Sequence, residues 1–154
     1  MDIIEQRLKD LGLTLPPPIS GLGAYRPVLV HGGLGYVSGQ LPLHEGTLPY
    51  TGKVGSDLPI DEARIASELC ILNVLTQIKE ACGGNWAHFS RILKITGYVN
   101  SAPTFCEQHF VMDAASRLLE SILQEKGEHA RVAVGVASLP LDAAVEIEAI
   151  FAFI

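Results

Sequence analysis

Repeated changes of hydrophobic period between Pro59 and Ala137 constrain this chain most. From Pro59 to Cys82, residues Ala63, Ala66, Leu69, Cys70, Val74, Ile78 and Ala81 fall mostly three or four apart, with Gly83-Gly84 behind them. That spacing predicts an amphipathic helix, and Ile65, Leu72 and Leu75 widen its apolar stripe. From Phe89 to Val99 the period shortens to two, with Leu93, Ile95 and Val99 set against Ile92, Lys94 and Thr96, as in a strand. Ser101-Ala102-Pro103 then reads as the cap and first turn of a second helix. Val111, Ala115, Leu118, Leu119 and Ile122 mark its inner face, and Gly127 ends it. Arg131–Ala137 and Ala144–Ile154 return to the two-residue period.

The first third of the chain adds smaller pieces. Asp2 to Leu11 predicts a short amphipathic helix, and Pro16-Pro17-Pro18 a stiff extended connector. Tyr25–Val30 and Leu34–Ser38 read as strands around His31-Gly32-Gly33, where paired glycines supply the positive φ values of a tight hairpin. His44 to Asp57 is rich in Gly, Pro, Thr and Ser and predicts a surface loop with little regular structure. The order (α)ββαβαββ predicts an α+β fold: a mixed β-sheet of five or six strands with two long helices on one face. Residues 1–22 read as an arm and 23–154 as a single domain.

Composition bounds function. Charged residues make up only 18% of 154 residues, against about a quarter in a typical domain. So few charges predict more hidden surface than a monomer offers, hence an oligomer. The balance of 11 basic and 17 acidic residues, net −6, argues against a general nucleic-acid binder, which needs cations to displace phosphate counterions. No apolar run reaches the roughly 18–20 residues of a membrane span. The N-terminus MDIIEQRLKDLG lacks a signal-peptide layout, and Cys70, Cys82 and Cys106 form no CxxC. Reduced thiols and a cytoplasmic location are therefore expected. The histidines His31, His44, His88, His109 and His129 include no pair at helical ligand spacing, so no metal is expected. No glycine-rich nucleotide motif and no nucleophile elbow occur, so no cofactor is expected either.

The strand Arg131–Ala137 is the most informative segment for chemistry. Val132, Val134 and Val136 share one face; Arg131, Ala133, Gly135 and Ala137 share the other. Small side chains let a ligand approach the backbone, and a guanidinium beside them suits a carboxylate held by two hydrogen bonds. A solvent-exposed arginine at a strand end fits the same pattern. Glu146 and Glu148 share a face of the last strand, either as a solvated pair or with one of them turned into a pocket as a proton acceptor. Ser38 and Gly39, at the end of the second strand, offer a hydroxyl and a backbone N–H, or are ordinary turn residues.

Taken together, the segments GAY (Gly23–Tyr25), YVSGQLP (Tyr36–Pro42), EHARVAVGVASLP (Glu128–Pro140) and AVEIEAI (Ala144–Ile150) resemble the YjgF/Rid family, once labelled "endoribonuclease L-PSP" or "translation initiation inhibitor". The likeness runs from about Gly21 to Ile150 and is to a longer-chain branch. It implies a fold like trimeric chorismate mutase, with three clefts between subunits. It implies hydrolysis of reactive imines and enamines of the 2-aminoacrylate type to a 2-keto acid and ammonia, without a cofactor. By that resemblance Arg131 clamps the substrate carboxylate, Tyr25 closes the pocket, Ser38 and Gly39 line it, and Glu146 holds the attacking water. Ala133, which still offers a backbone N–H, and His109 stand where the family has cysteine and asparagine; Val132 replaces a serine and Ala24 a proline. The competing reading is a non-catalytic trimeric binder or sensor of small carboxylates using the same arginine. The ribonuclease label fits poorly with net −6 and no basic cluster. Glu148, about 7 Å further along the strand, is expected to act only as a surface acid.

Overall fold

The computed structural model describes residues 1–20 and 23–154. A short helix, α1 (Ile3–Asp10), opens the chain, its first turn capped by the Asp2 carboxylate, which accepts from the Ile4 N–H at 2.7 Å. A hairpin follows, β1 (Val28–His31) and β2 (Leu34–Gln40), joined by Gly32 and Gly33 at φ 60° and 79°. Both turn residues thus have the positive φ that matches the twist of the flanking strands. The long helix α2 (Ile60–Ala81) leads to β3 (Phe89–Asn100), α3 (Gln108–Leu123), β4 (Ala130–Val136) and β5 (Val145–Phe153). The strands form one mixed sheet in the order β1-β2-β5-β3-β4. Only β3 and β4 run parallel, joined through α3 because a parallel pair needs a crossover.

Both long helices pack on one face of the sheet. Ala63, Ala66, Cys70, Ile71, Val74, Leu75 and Ile78 of α2 are fully buried with Ile95, Val99, Ile147 and Phe151 of the sheet. Each fully buried branched side chain contributes about 1.5–3 kcal/mol of apolar transfer. The arm joins this core: Ile4 and Leu8 are buried, Trp86 Nε1 donates to Glu5 at 2.8 Å, and Thr76 Oγ1 donates to the Pro16 carbonyl at 2.8 Å. The expected arm ends at residue 22, and residues 21 and 22 lie outside the described residues.

Four expectations need correction. Leu93 does not share a face with Ile95. Between Ile92 and Lys94, β3 carries one more residue than its partner strand, a bulge that buries Ile92 and Ile95 and leaves Leu93 37% exposed. Ser101-Ala102-Pro103 does not start α3. The Ser101 N–H donates to Val136 O and the Ala102 N–H to Val54 O, and these long-range bonds keep the segment extended. The 44–57 stretch is not merely a surface loop: Gly52 and Val54 are buried, and Thr51 bridges Ala143. The first strand starts at Val28 rather than Tyr25.

Candidate functional site

Parity along β4 sends Arg131 and Ala133 toward the helix layer, because they pair with Ile95 and Gly97 on the buried face of β3. Their small neighbours have a packing cause. A Cβ on Gly135 would stand 2.7 Å from Gln108 Nε2, and one on Gly97 would overlap Met112. Gly97 and Ala133 admit α3, whereas Gly135 and Ala137 stay exposed and line a cavity of about 540 Å³ with Gln108 and Lys53. The valine face is the open one, with Val132 41% and Val134 38% exposed.

The Arg131 guanidinium is held mainly by neutral oxygens. Its Nη1 donates to Ser116 Oγ at 3.0 Å and its Nη2 to the His109 carbonyl at 3.3 Å. Ser116 in turn bonds His129 Nε2 at 2.8 Å, while His129 Nδ1 faces the Gly127 carbonyl. With His129 as the Nδ1–H tautomer, Ser116 donates to its Nε2 and accepts from Arg131, so each partner is oriented. The carboxylate at Asp113 stands 3.7 Å from Arg131, and its other oxygen accepts from Arg117 Nε at 2.9 Å. Arg117's hydrogen bond, more than Arg131's charge, holds the Asp113 carboxyl below the usual carboxylate range. Of the expected residues, Arg131, His109 and Ala133 therefore belong to one group where the edge strand meets α3. His109 takes part through its main chain, its side chain being exposed.

A second group lies on the other side of the sheet. Glu146 and Glu148 pair with Tyr98 and Thr96 on the open face. On β2 three steps from Val37 to Gln40 match two on β5 from Ala149 to Ile147, so Ser38-Gly39 forms a bulge, a feature enriched beside active sites. A Cβ on Gly39 would overlap Glu146 Oε1 and stand 2.9 Å from its Cδ; glycine leaves the slot in which this carboxylate lies. Burial first, and the charge of Glu148 second, push the Glu146 carboxyl above the ordinary carboxylate range. Ser38 Oγ donates to the Arg26 carbonyl at 2.6 Å, which fixes the bulge. Tyr25 and Gly39 line one small cavity of about 30 Å³ together with Pro27 and Leu43.

Within one chain the groups around Arg131 and Glu146 do not meet. They project from opposite faces, with β3 between their strands. Sequence reasoning missed Ser116, Asp113 and Tyr98. A serine on the buried side of α3, thirteen residues before a histidine, is the visible trace of the first. Among the described residues no three His, Cys, Asp or Glu side chains gather as a metal site, and no helix is long and apolar enough to cross a membrane.

Comparison with known proteins places the fold in a family. Residues 5–153 match the family model described as "YjgF/chorismate mutase-like, putative endoribonuclease". The chain is 38% identical over 148 residues to Protein TCP17 of Trypanosoma cruzi, covering 96% of this chain and 92% of that one. It is similar to the crystal structure of Atu1372, a protein of unknown function from Agrobacterium tumefaciens, at 47% identity and TM-score 0.93, covering 99% and 94% of the two chains. TdcF of E. coli, solved with bound serine, is 25% identical at TM-score 0.59, covering 90% and 94%. The motifs, the sheet order and these matches agree that the chain belongs to the YjgF/chorismate mutase-like family.

Proposed function

We propose that this protein hydrolyses small 2-imino acids and their enamine tautomers, of the 2-aminoacrylate type, to 2-keto acids and ammonia. Catalysis takes place in clefts completed between the subunits of a homotrimer. The observation that carries the reading is the division of the candidate residues: a guanidinium poised on neutral oxygens at one sheet edge, and a half-buried Glu146 on the opposite face. A second copy whose edge strand meets the Gly39–Glu146 slot brings the two together. The serine held by E. coli TdcF is a small amino-acid carboxylate of the class proposed here.

The chemistry needs little beyond placement. Arg131 holds the substrate carboxylate with two parallel N–H donors, and the Ala133 N–H and Ser38-Gly39 line the cleft. The iminium carbon is already electrophilic. Glu146 takes a proton as the water oxygen adds to that carbon, and the C=N electron pair moves to nitrogen. The carbinolamine nitrogen then receives the proton from Glu146, the C–N bond breaks, and the hydroxyl closes to the ketone as its proton passes through Glu146 to the departing ammonia. Ammonium and keto acid leave together. Holding water about 3 Å from the carbon supplies most of the gain.

An amino-acid oxidase that generates the imine in situ tests the reading, with keto-acid release timed. Wild type accelerates release and Arg131→Ala does not. Arg131→Lys keeps the charge and loses the planar fork, so pyruvate or 2-oxobutanoate binds about 1–3 kcal/mol more weakly. Glu146→Gln slows turnover by about 10²–10⁴ while keto-acid affinity stays nearly unchanged, since a transition-state contact is lost. Keto-acid binding without turnover in wild type would make the protein a carboxylate binder instead.

A further inference from the structure

The acid next to Glu146 on the open face is not a free surface group. Tyr98 stands directly opposite Glu146 across the β3–β5 ladder, and Thr96 opposite Glu148. Members of such pairs project from the same face. Tyr98 nevertheless passes over its direct partner. Its hydroxyl donates to Glu148 Oε1 at 2.7 Å, along the diagonal that a long aromatic side chain can span. One carboxylate is thereby pinned, and the other, Glu146, lies in the slot left by Gly39.

We propose that Tyr98 and Glu148 are positioning residues for Glu146: Tyr98 pins the Glu148 carboxylate, which then stands fixed beside Glu146 in the slot left by Gly39. The inference rests on the reading of Glu146 as the residue that takes the proton from water. The groups facing Glu146 are few. Glu148 comes from its own strand and Tyr98 from β3, while Gly39 of β2 offers only backbone. From α2 beneath the sheet comes the Cys70 thiol, whose proton is held tighter by burial first and by the charge of Glu146 second. Lys94 lines a cavity of about 150 Å³ with Glu148, Thr96 and Tyr36. The Tyr98 phenol is itself held protonated to higher pH, first by its hydrogen bond to Glu148 and then by its own burial.

The direction of the effect follows from the sign of the charge. Removing the negative charge at Glu148 makes Glu146 easier to ionise, so its titration moves to lower pH. The experiment is ¹³C NMR titration of carboxyl-labelled glutamates in wild type, Glu148→Gln, Glu148→Asp and Tyr98→Phe. It is run beside the pH profile of kcat/KM, whose acid limb reports the free enzyme. Glu148→Gln is expected to lower both the Glu146 midpoint and the acid limb by roughly half to one pH unit, the size of a carboxylate pair several ångströms apart at a partly screened surface. Tyr98→Phe moves both the same way by less, and Glu148→Asp restores most of the wild-type value. An unmoved Glu146 midpoint in natively folded Glu148→Gln overturns the proposal. If that variant does not fold, an unmoved midpoint in Tyr98→Phe does the same. The NMR midpoints decide the matter even if the wild type hydrolyses no imine, in which case the loss falls on the proposed reaction alone.

Discussion

On one face of the sheet Ile95, Val99, Ile147 and Phe151 meet α2 and α3 and are fully buried. On the other, Tyr36, Val132 and Val134 stand partly exposed beside Glu146, Glu148 and Tyr98. The same alternation of side chains produced both faces, yet they answer to different demands. The first is filled by its own chain and selects side chains by volume, down to Gly97, which makes room for Met112 of α3. The second mixes apolar surface with half-buried acids. A chain folded for itself gains nothing from that mixture; the trimer proposed above would.

The contrast is broken most severely by removing volume from the covered face. Phe151→Ala should cost about 3–5 kcal/mol in urea unfolding, whereas Ile150→Ala, one residue away on the open face, should cost well under 1.5 kcal/mol in dilute protein. Equal losses would mean that the two faces do not differ in the way described. A charge in the middle of the open face sharpens the comparison from the other side. Val134→Asp should leave the far-ultraviolet spectrum native and move the mass in light scattering from trimer to monomer, since an unpaired charge is poorly tolerated inside an interface. A wild-type monomer at micromolar concentration would remove the shared cleft altogether.

The smallest expected effect concerns the arm, which docks on the helix side. Lys79's hydrogen bond to Glu5, ahead of Trp86's, holds the Glu5 carboxyl below its ordinary value of 4.5. A depressed carboxyl contributes stability above that ordinary value and loses it as pH falls through the lowered one. The pair is partly solvated, so Glu5→Gln should cost only ~0.5 kcal/mol at neutral pH. Trp86 fluorescence should report loosening of the arm below pH 4.5 in wild type and already at neutral pH in the variant. The mass in light scattering should stay the same in both.

Much of the covered face was legible, because α2 and α3 bury wide stripes at helical spacing and the Gly32-Gly33 turn needs positive φ in both residues. The errors share one physical origin. Leu93 was misread because a bulge shifts parity, and Ser101 because Val136 and Val54 supply its segment with partners from distant parts of the chain. The orientation of β4 was also hidden. Three alternating valines look like a core face, and nothing local records that Arg131 and Ala133 turn toward the helix layer instead. That Arg131 and Glu146 point to opposite faces follows from the ladder register, which a single strand does not carry.

The place of β5 bears on how such a chain is made. It is last in chain order and third of five in the sheet. Without β5 the β1–β2 hairpin and the β3–α3–β4 unit have bare inner edges, and no sheet joins them. Residues 145–153 close the structure by pairing on both sides at once. Assembly therefore waits on a long-range capture rather than on local folding. Until then two hydrogen-bonding edges are open to neighbouring nascent chains. Loss of these nine residues would not trim the protein but leave its sheet in two unconnected halves.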